Sequence, residues 1–124
     1  MEAEALNIPA VIAGAVAGFA FGAVIYHPRV LGTVWANGSG VELDGKPPAL
    51  AFALQILALL ALAIVVGMTA TVSFLGTAFL AILAAVLFVA SSGVFQRKSM
   101  GAVMTDVIYI VGAGALMIVA QGVL

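Results

Sequence analysis

Long apolar stretches separated by short polar segments form the dominant pattern of this chain. The first stretch runs from Ile8 to Tyr26, and no charged residue occurs between Ala49 and Val94. That second stretch is about twice as long as one crossing needs at about 20 residues per helix, so we expect it to hold two helices joined by a tight turn near 67–73. The pattern predicts an all-α membrane protein with helices at about 8–26, 48–68, 72–95 and 100–124.

The first helix is predicted to lead into a short interfacial segment. Tyr26-His27-Pro28-Arg29 combines an aromatic ring, a titratable side chain, a helix breaker and a cation, which is typical of the headgroup region. The apolar stretch at 30–36 is too short to cross the membrane and carries the only tryptophan, Trp35, so we interpret it as a half-buried turn or short helix. Asn37-Gly38-Ser39-Gly40 is typical of a turn, and residues 27–47 form the longest polar loop.

Composition supports a membrane location and narrows the possible functions. Of the 124 residues, 65% are apolar and 7% are charged, whereas about a quarter of the residues in soluble domains are charged. Four helices leave no room for a soluble domain, so we expect a single transmembrane domain over 1–124. The net charge of −1 provides no basic surface for nucleic acid. With no cysteine and one histidine, no metal site or other cofactor is predicted.

The basic residues of the loops predict the orientation of the bundle. If four helices cross in alternating directions, the first and third loops share one side of the membrane. These two loops contain Arg29, Lys46, Arg97 and Lys98. The termini and the second loop contain no lysine or arginine. Because such residues in short loops stay in the cytoplasm, we expect an antiparallel bundle with both termini outside and loops 27–47 and 96–99 inside. The residues expected at the membrane interface are Trp35, Arg29, Arg97 and Lys98.

Two ridges of small residues predict close helix packing. The first helix carries Gly14, Gly18 and Gly22 at a spacing of four, and the third predicted helix carries a second ridge. The members of that second ridge are Ser73, Thr77, Ala81 and Ala85. In lipid, close backbone approach drives helix association. The first ridge is therefore expected to pack against another helix of the same chain or to form a homo-oligomer.

Every predicted helix contributes polar groups to the half of the bundle nearest the basic loops. Asp106 is the only charged residue inside a predicted helix, and such residues face the bundle interior or mark a functional site. Tyr109 follows it by three residues and so shares its face. The candidate residues of a polar pocket are Asp106, Tyr109, His27, Tyr26, Gln55, Ser91 and Ser92.

Two interpretations of this polar pocket are open. In the first, the pocket is a half-channel to the cytoplasm in which Asp106 and His27 titrate, as carboxylate and imidazole groups do in proton relays. In the second, Asp106 is satisfied by Tyr109, Gln55, a serine or Arg97 and only fixes the register between helices.

The motif at the end of the first helix resembles a known family. Gly22-Ala23-Val24-Ile25-Tyr26-His27-Pro28, followed by Leu31-Gly32 and Trp35, is similar to the signature of bacterial membrane proteins grouped as domain of unknown function 1761. His27 stands where that family usually has serine, and Leu31 where it has phenylalanine. The segment Phe95-Gln96-Arg97-Lys98 with its following helix resembles the last part of the family. The resemblance implies a four-helix membrane fold and no assigned activity. It singles out Tyr26, Pro28, Gly32, Trp35, Asp106 and Tyr109.

These patterns predict a non-enzymatic membrane protein, and the resemblance implies the inner membrane of a bacterium. The two ridges favour a structural or accessory subunit that contacts lipid and forms a homo-oligomer or joins a larger membrane complex. The alternative is a small transporter or channel for a proton, an ion or a small solute that uses the pocket around Asp106. No nucleophile and base at a catalytic spacing are visible, so an enzyme is not expected.

Overall fold

The computed structural model describes residues 5–42, 47–72 and 75–124. Within these residues the protein is all-α and has no strand. The elements are α1 (Ile8–Ile25), a π-helical turn (Pro28–Gly32), α2 (Thr33–Ser39), α3 (Ala49–Thr71), α4 (Leu75–Phe95) and α5 (Met100–Val123). Four of them, α1, α3, α4 and α5, are long and apolar enough to cross a membrane.

Side-chain caps begin the first and last of these long helices. The Asn7 side-chain oxygen accepts a hydrogen bond from the Ala10 N–H at 3.2 Å, and Pro9 occupies the first turn, where a missing N–H costs nothing. Ser99 Oγ accepts from the Ala102 N–H at 3.1 Å at the start of α5. The helices therefore begin where capping residues of the sequence place them.

The end of the second long helix differs from the expectation. The predicted end of the second helix at Met68 is wrong, because α3 continues to Thr71. The hydroxyls of Thr69 and Thr71 donate to the carbonyls of Val66 and Met68 at 2.8 and 2.7 Å. Both hydroxyls therefore find their hydrogen-bond acceptors within the helix. Ser73, where the tight turn after this helix was predicted to end, lies outside the described residues.

The turn predicted at residues 37–40 is also wrong in part. The segment after α1 is helical as far as Ser39, and Gly40 with a φ of 71° ends α2. Glycine adopts this left-handed conformation without the steric cost of a Cβ atom. The interfacial segment is therefore a π-helical turn followed directly by a short helix.

α5 is the element that the others surround. It packs most extensively on α1 and also contacts α2, α3 and α4. Between these helices lies a continuous apolar core. Its buried residues are Val11, Ala15, Leu59, Ala63, Val66, Ala78, Tyr109, Ala113 and Met117.

The first small-residue ridge lies inside this core. A Cβ atom on Gly14 would be 3.1 Å from Met117 Cα, and one on Gly22 would be 2.7 Å from Tyr109 Cε1. A Cβ atom on Gly18 would be 3.1 Å from the Leu59 side chain. The ridge thus allows α1 to approach α5 and α3. This is the first of the two alternatives given for the ridge, packing against other helices of the same chain.

We expect Gly14→Leu to destabilise the bundle by about 1 to 3 kcal/mol, the usual cost of adding atoms to a filled core. The added side chain must displace the Met117 backbone rather than a flexible side-chain end. The measurement is the free energy of unfolding by SDS titration in mixed micelles. Gly122→Leu is the control, because nothing lies within 4 Å of that position. Equal stability of the two variants would contradict the packing described here.

Candidate functional site

A hydrogen bond joins the end of α1 to the first third of α5. Tyr26 follows the last residue of α1, and its hydroxyl donates to Asp106 Oδ1. Asp106 lies nearly two turns into α5, and its side chain is 15% exposed. A carboxylate at this depth needs a partner, because an unpaired charge away from water is costly.

Lys98 provides the opposite charge for Asp106. Its Nζ lies 3.4 Å from Asp106 Oδ2, and this is the one ion pair between side chains of the described residues. The chain turns back toward the bundle at Arg97, whose φ is 59°. The Lys98 N–H donates to the Gly93 carbonyl at 3.0 Å and the Arg97 N–H to the Val94 carbonyl at 3.0 Å, which is the Schellman arrangement that ends many helices. This helix end directs Lys98 toward Asp106.

Tyr109 extends the cluster toward α3. The Gln55 side-chain amide donates to the Tyr109 hydroxyl, and the rings of Tyr26 and Tyr109 meet edge to face with centroids 5.5 Å apart. Edge-to-face pairs stabilise contacts beyond the area that they bury. The site therefore links α1, α3 and α5 through two hydrogen bonds and one aromatic contact.

Trp35 places α2 over the same cluster. Its ring meets the Tyr26 ring edge to face at 5.2 Å, and Lys98 Nζ lies 5.9 Å from the Trp35 ring centroid. The Gly38 carbonyl accepts from the Ser99 N–H at 3.0 Å, and a Cβ atom on Gly38 would be 1.9 Å from Ser99 Oγ. A glycine is thus required where α2 meets the start of α5.

The π-helical turn sets the rotation of α2 relative to α1. The His27 carbonyl accepts from the Gly32 N–H at 3.0 Å, five residues further on, and His27 Nδ1 accepts from the Arg29 N–H at 3.1 Å. A Cβ atom on Gly32 would be 2.2 Å from the Tyr26 carbonyl oxygen. This wide turn therefore requires glycine at its end and directs Trp35 back to Tyr26.

The electrostatics of the site keep Tyr26 a hydrogen-bond donor. Burial, followed by the hydrogen bond to Asp106, raises the pKa of the Tyr26 phenol above its ordinary value. Loss of the phenol proton would place a second negative charge beside the carboxylate. The Tyr26 phenol therefore keeps its proton and donates it to the hydrogen bond with Asp106.

The structure brings together four of the seven residues predicted for the polar pocket. Tyr26, Asp106, Tyr109 and Gln55 form the cluster. His27 is exposed and caps the π-helical turn. Ser91 and Ser92 are exposed on α4, where Ser92 Oγ accepts from the Gln96 amide at 2.9 Å. The expectation that these three residues also line the pocket is corrected.

Sequence reasoning missed the role of Lys98 as the basic partner of Asp106. Arg97 was one of the possible partners named for Asp106, beside Tyr109, Gln55 and a serine, but Arg97 is exposed and Lys98 makes the ion pair. Lys98 and Trp35, interpreted as interface residues, are half-buried against the cluster. Lys98 and Asp106 are eight residues apart, which is not a spacing at which side chains of one helix meet. Their contact depends on the backward turn of the chain at Arg97, which the sequence pattern does not indicate.

Two open grooves on the surface of the described residues lie away from Asp106. One, of about 340 Å³, is apolar and runs between α1 and α3, lined by residues such as Ala15, Phe19 and Leu60. The other, of about 590 Å³, lies on the outer side of α4 near Ser91 and Phe95. No group of three metal-ligating side chains occurs in the described part of the chain. Within the cluster, Tyr26 and Lys98 contact the two carboxylate oxygens of Asp106, and Gln55 donates to the Tyr109 hydroxyl.

Comparison with known families assigns the chain. A family model described as a protein of unknown function, DUF1761, matches residues 9–122. The chain belongs to this family. The match to DUF1761 includes Tyr26, Trp35, Lys98 and Asp106, so every element of the cluster lies within it. Searches of curated proteins and of solved structures gave no match.

A double-mutant cycle of Tyr26→Phe and Asp106→Ala tests the central bond. We expect a coupling of about 1 kcal/mol, within the range measured for polar contacts between helices in membranes. The measurement is the free energy of unfolding of the two single variants and the double variant in mixed micelles. A cycle of Tyr26→Phe with Gln121→Ala at the other end of α5 should give no coupling. A zero value for the first cycle would show that the hydrogen bond contributes nothing to stability.

Proposed function

We propose that this DUF1761 protein is a non-enzymatic subunit of the bacterial inner membrane that assembles with a second copy or joins a larger membrane complex. The main observation in its support is that the rest of the chain buries the long helices to different extents. In the most apolar 18 residues of α3 and of α4, 17% of the residues are buried, whereas 39% are buried in the corresponding parts of α1 and α5. α3 and α4 therefore present the largest area to lipid or to another subunit.

The two small-residue ridges differ in burial in the same way as the helices that carry them. Gly14, Gly18 and Gly22 are buried within the chain. On α4, Thr77 is exposed, and Ala81 and Ala85 are half-buried. Small residues on an open helix face permit another helix to approach closely. The α4 ridge, defined here as Thr77, Ala81 and Ala85, is the proposed assembly surface.

The polar cluster supports a structural role for Asp106. Both carboxylate oxygens have partners, Tyr26 and Lys98. The alternative, a small transporter or channel, needs a hydrated path to this carboxylate. The observed contacts favour the structural interpretation because they occupy the groups that a transported solute would use.

We expect Ala81→Leu to dissociate the complex that native mass spectrometry detects after gentle extraction. The larger side chain prevents close approach on the α4 ridge. Ala90→Leu on α4 is the matched control, since Ala90 is half-buried like Ala81 but lies off the ridge. If the parent chain is monomeric, the assembly proposal is wrong, and flux measurements on Asp106→Asn become the test of the alternative. Dissociation by both variants would exclude the α4 ridge as a specific surface.

The proposed orientation places both termini outside and the polar cluster on the cytoplasmic side, with successive long helices running in opposite directions. The basic residues Arg29, Arg97 and Lys98 support it, since they lie beside the helix ends that carry the cluster.

A chain without cysteine allows a direct test of this orientation. Single cysteines at the exposed positions Ala5 and Asn37 are labelled with an impermeant maleimide in intact spheroplasts. We expect Ala5→Cys to react at once and Asn37→Cys to react only after permeabilisation. The opposite pattern would invert the proposed topology.

A further inference from the structure

Lys98 makes the longest polar contacts in the cluster. Its Nζ to Asp106 Oδ2 distance of 3.4 Å exceeds the roughly 2.7 to 2.9 Å of a good charge-assisted hydrogen bond. The distance of 5.9 Å to the Trp35 ring centroid is at the outer limit for a cation over an aromatic face, about 6 Å. The side chain is 20% exposed and belongs to the connection between α4 and α5.

The groups around the Lys98 ammonium are fixed by helices. Asp106 lies in α5 and is held by the Tyr26 hydroxyl, and Trp35 in α2 is held against the Tyr26 ring. The contact of Gly38 with Ser99 joins α2 to α5. A carboxylate with aromatic side chains beside it therefore remains in place if the lysine side chain swings away.

These fixed groups suit an ammonium ligand, and the surrounding charges specify it further. A carboxylate binds N–H donors strongly, and an aromatic face attracts a cation. Arg29 and Arg97 are exposed at the same end of the bundle, and a displaced Lys98 would add a third cation there. These cations repel a free amine and attract a phosphate. A ligand that carries both an ammonium and a phosphate group matches this pattern.

We propose that Asp106, Tyr26 and Trp35 form a binding site for the primary ammonium of an aminophospholipid headgroup, in which the lipid replaces the Lys98 ammonium. The released lysine extends toward the membrane surface, where its long apolar stem lets the charge reach the lipid phosphate. The site lies where the interfacial segment and the basic residues meet, the depth at which headgroups lie. The inference does not depend on assembly, because every residue of the site comes from one chain.

The test compares lipids that differ only in the headgroup. The full chain is placed in nanodiscs that contain equal amounts of phosphatidylethanolamine and phosphatidylcholine with the same acyl chains, and retained lipid is identified by native mass spectrometry. Phosphatidylcholine is the matched control, since its quaternary ammonium donates no N–H. Phosphatidylglycerol, which has a phosphate and no ammonium, is the second control. Emission of Trp35, the only tryptophan, reports occupation of the site independently.

We expect the wild-type chain to retain phosphatidylethanolamine in preference to phosphatidylcholine. In Lys98→Met, which lacks the competing ammonium, we expect the preference to rise to about tenfold, as one charge-assisted hydrogen bond would give. Asp106→Asn should lose the preference and the change in Trp35 emission. If Asp106→Asn fails to fold, the comparison of wild type with Lys98→Met still decides. Equal retention of the two lipids by both, or stronger retention of phosphatidylglycerol than of phosphatidylethanolamine, overturns the proposal.

Discussion

The bundle depends on the need to neutralise one carboxylate inside an apolar protein. Asp106 lies in the helix that every other helix contacts, and its two oxygens bond to Tyr26 at the end of α1 and to Lys98 before α5. Because leaving a charge unpaired in such surroundings is costly, these contacts restrict the rotation of α5 about its own axis. That rotation in turn places Tyr109 toward Gln55 and the small residues of α5 toward the glycines of α1.

The hydrophobic runs in the sequence predicted that the long helices exist and roughly where they lie. They did not predict the partners of the polar residues. The start of α5 at Met100 follows from the capping residue Ser99 and the charges before it. The extension of α3 to Thr71 was missed because hydroxyls that bond to their own helix resemble a polar turn in the sequence. The shared face of Asp106 and Tyr109 follows from helical spacing, whereas the pairing with Lys98 depends on a backward turn at Arg97 that no periodicity encodes.

The glycines show a similar limit. A spacing of four identifies Gly14, Gly18 and Gly22 as a packing face, and the contact with Met117 and Tyr109 shows which helix uses it. By contrast, Gly38 and Gly32 occur in short segments without such a period. Their requirement is visible only where a Cβ atom would meet Ser99 Oγ or the Tyr26 carbonyl oxygen. Close approach in three dimensions, rather than backbone flexibility, explains these two residues.

The π-helical turn between His27 and Gly32 makes the length of this segment unusually constrained. Its carbonyl to N–H bond spans five residues instead of four, so the turn holds one residue more than an α-helical turn. Removing one residue here would restore ordinary helical winding and rotate everything that follows by about 100°. Trp35 would then point away from Tyr26, and α2 would no longer lie over the cluster. Insertions and deletions during evolution of this fold are therefore expected in other connections and not between residues 27 and 32.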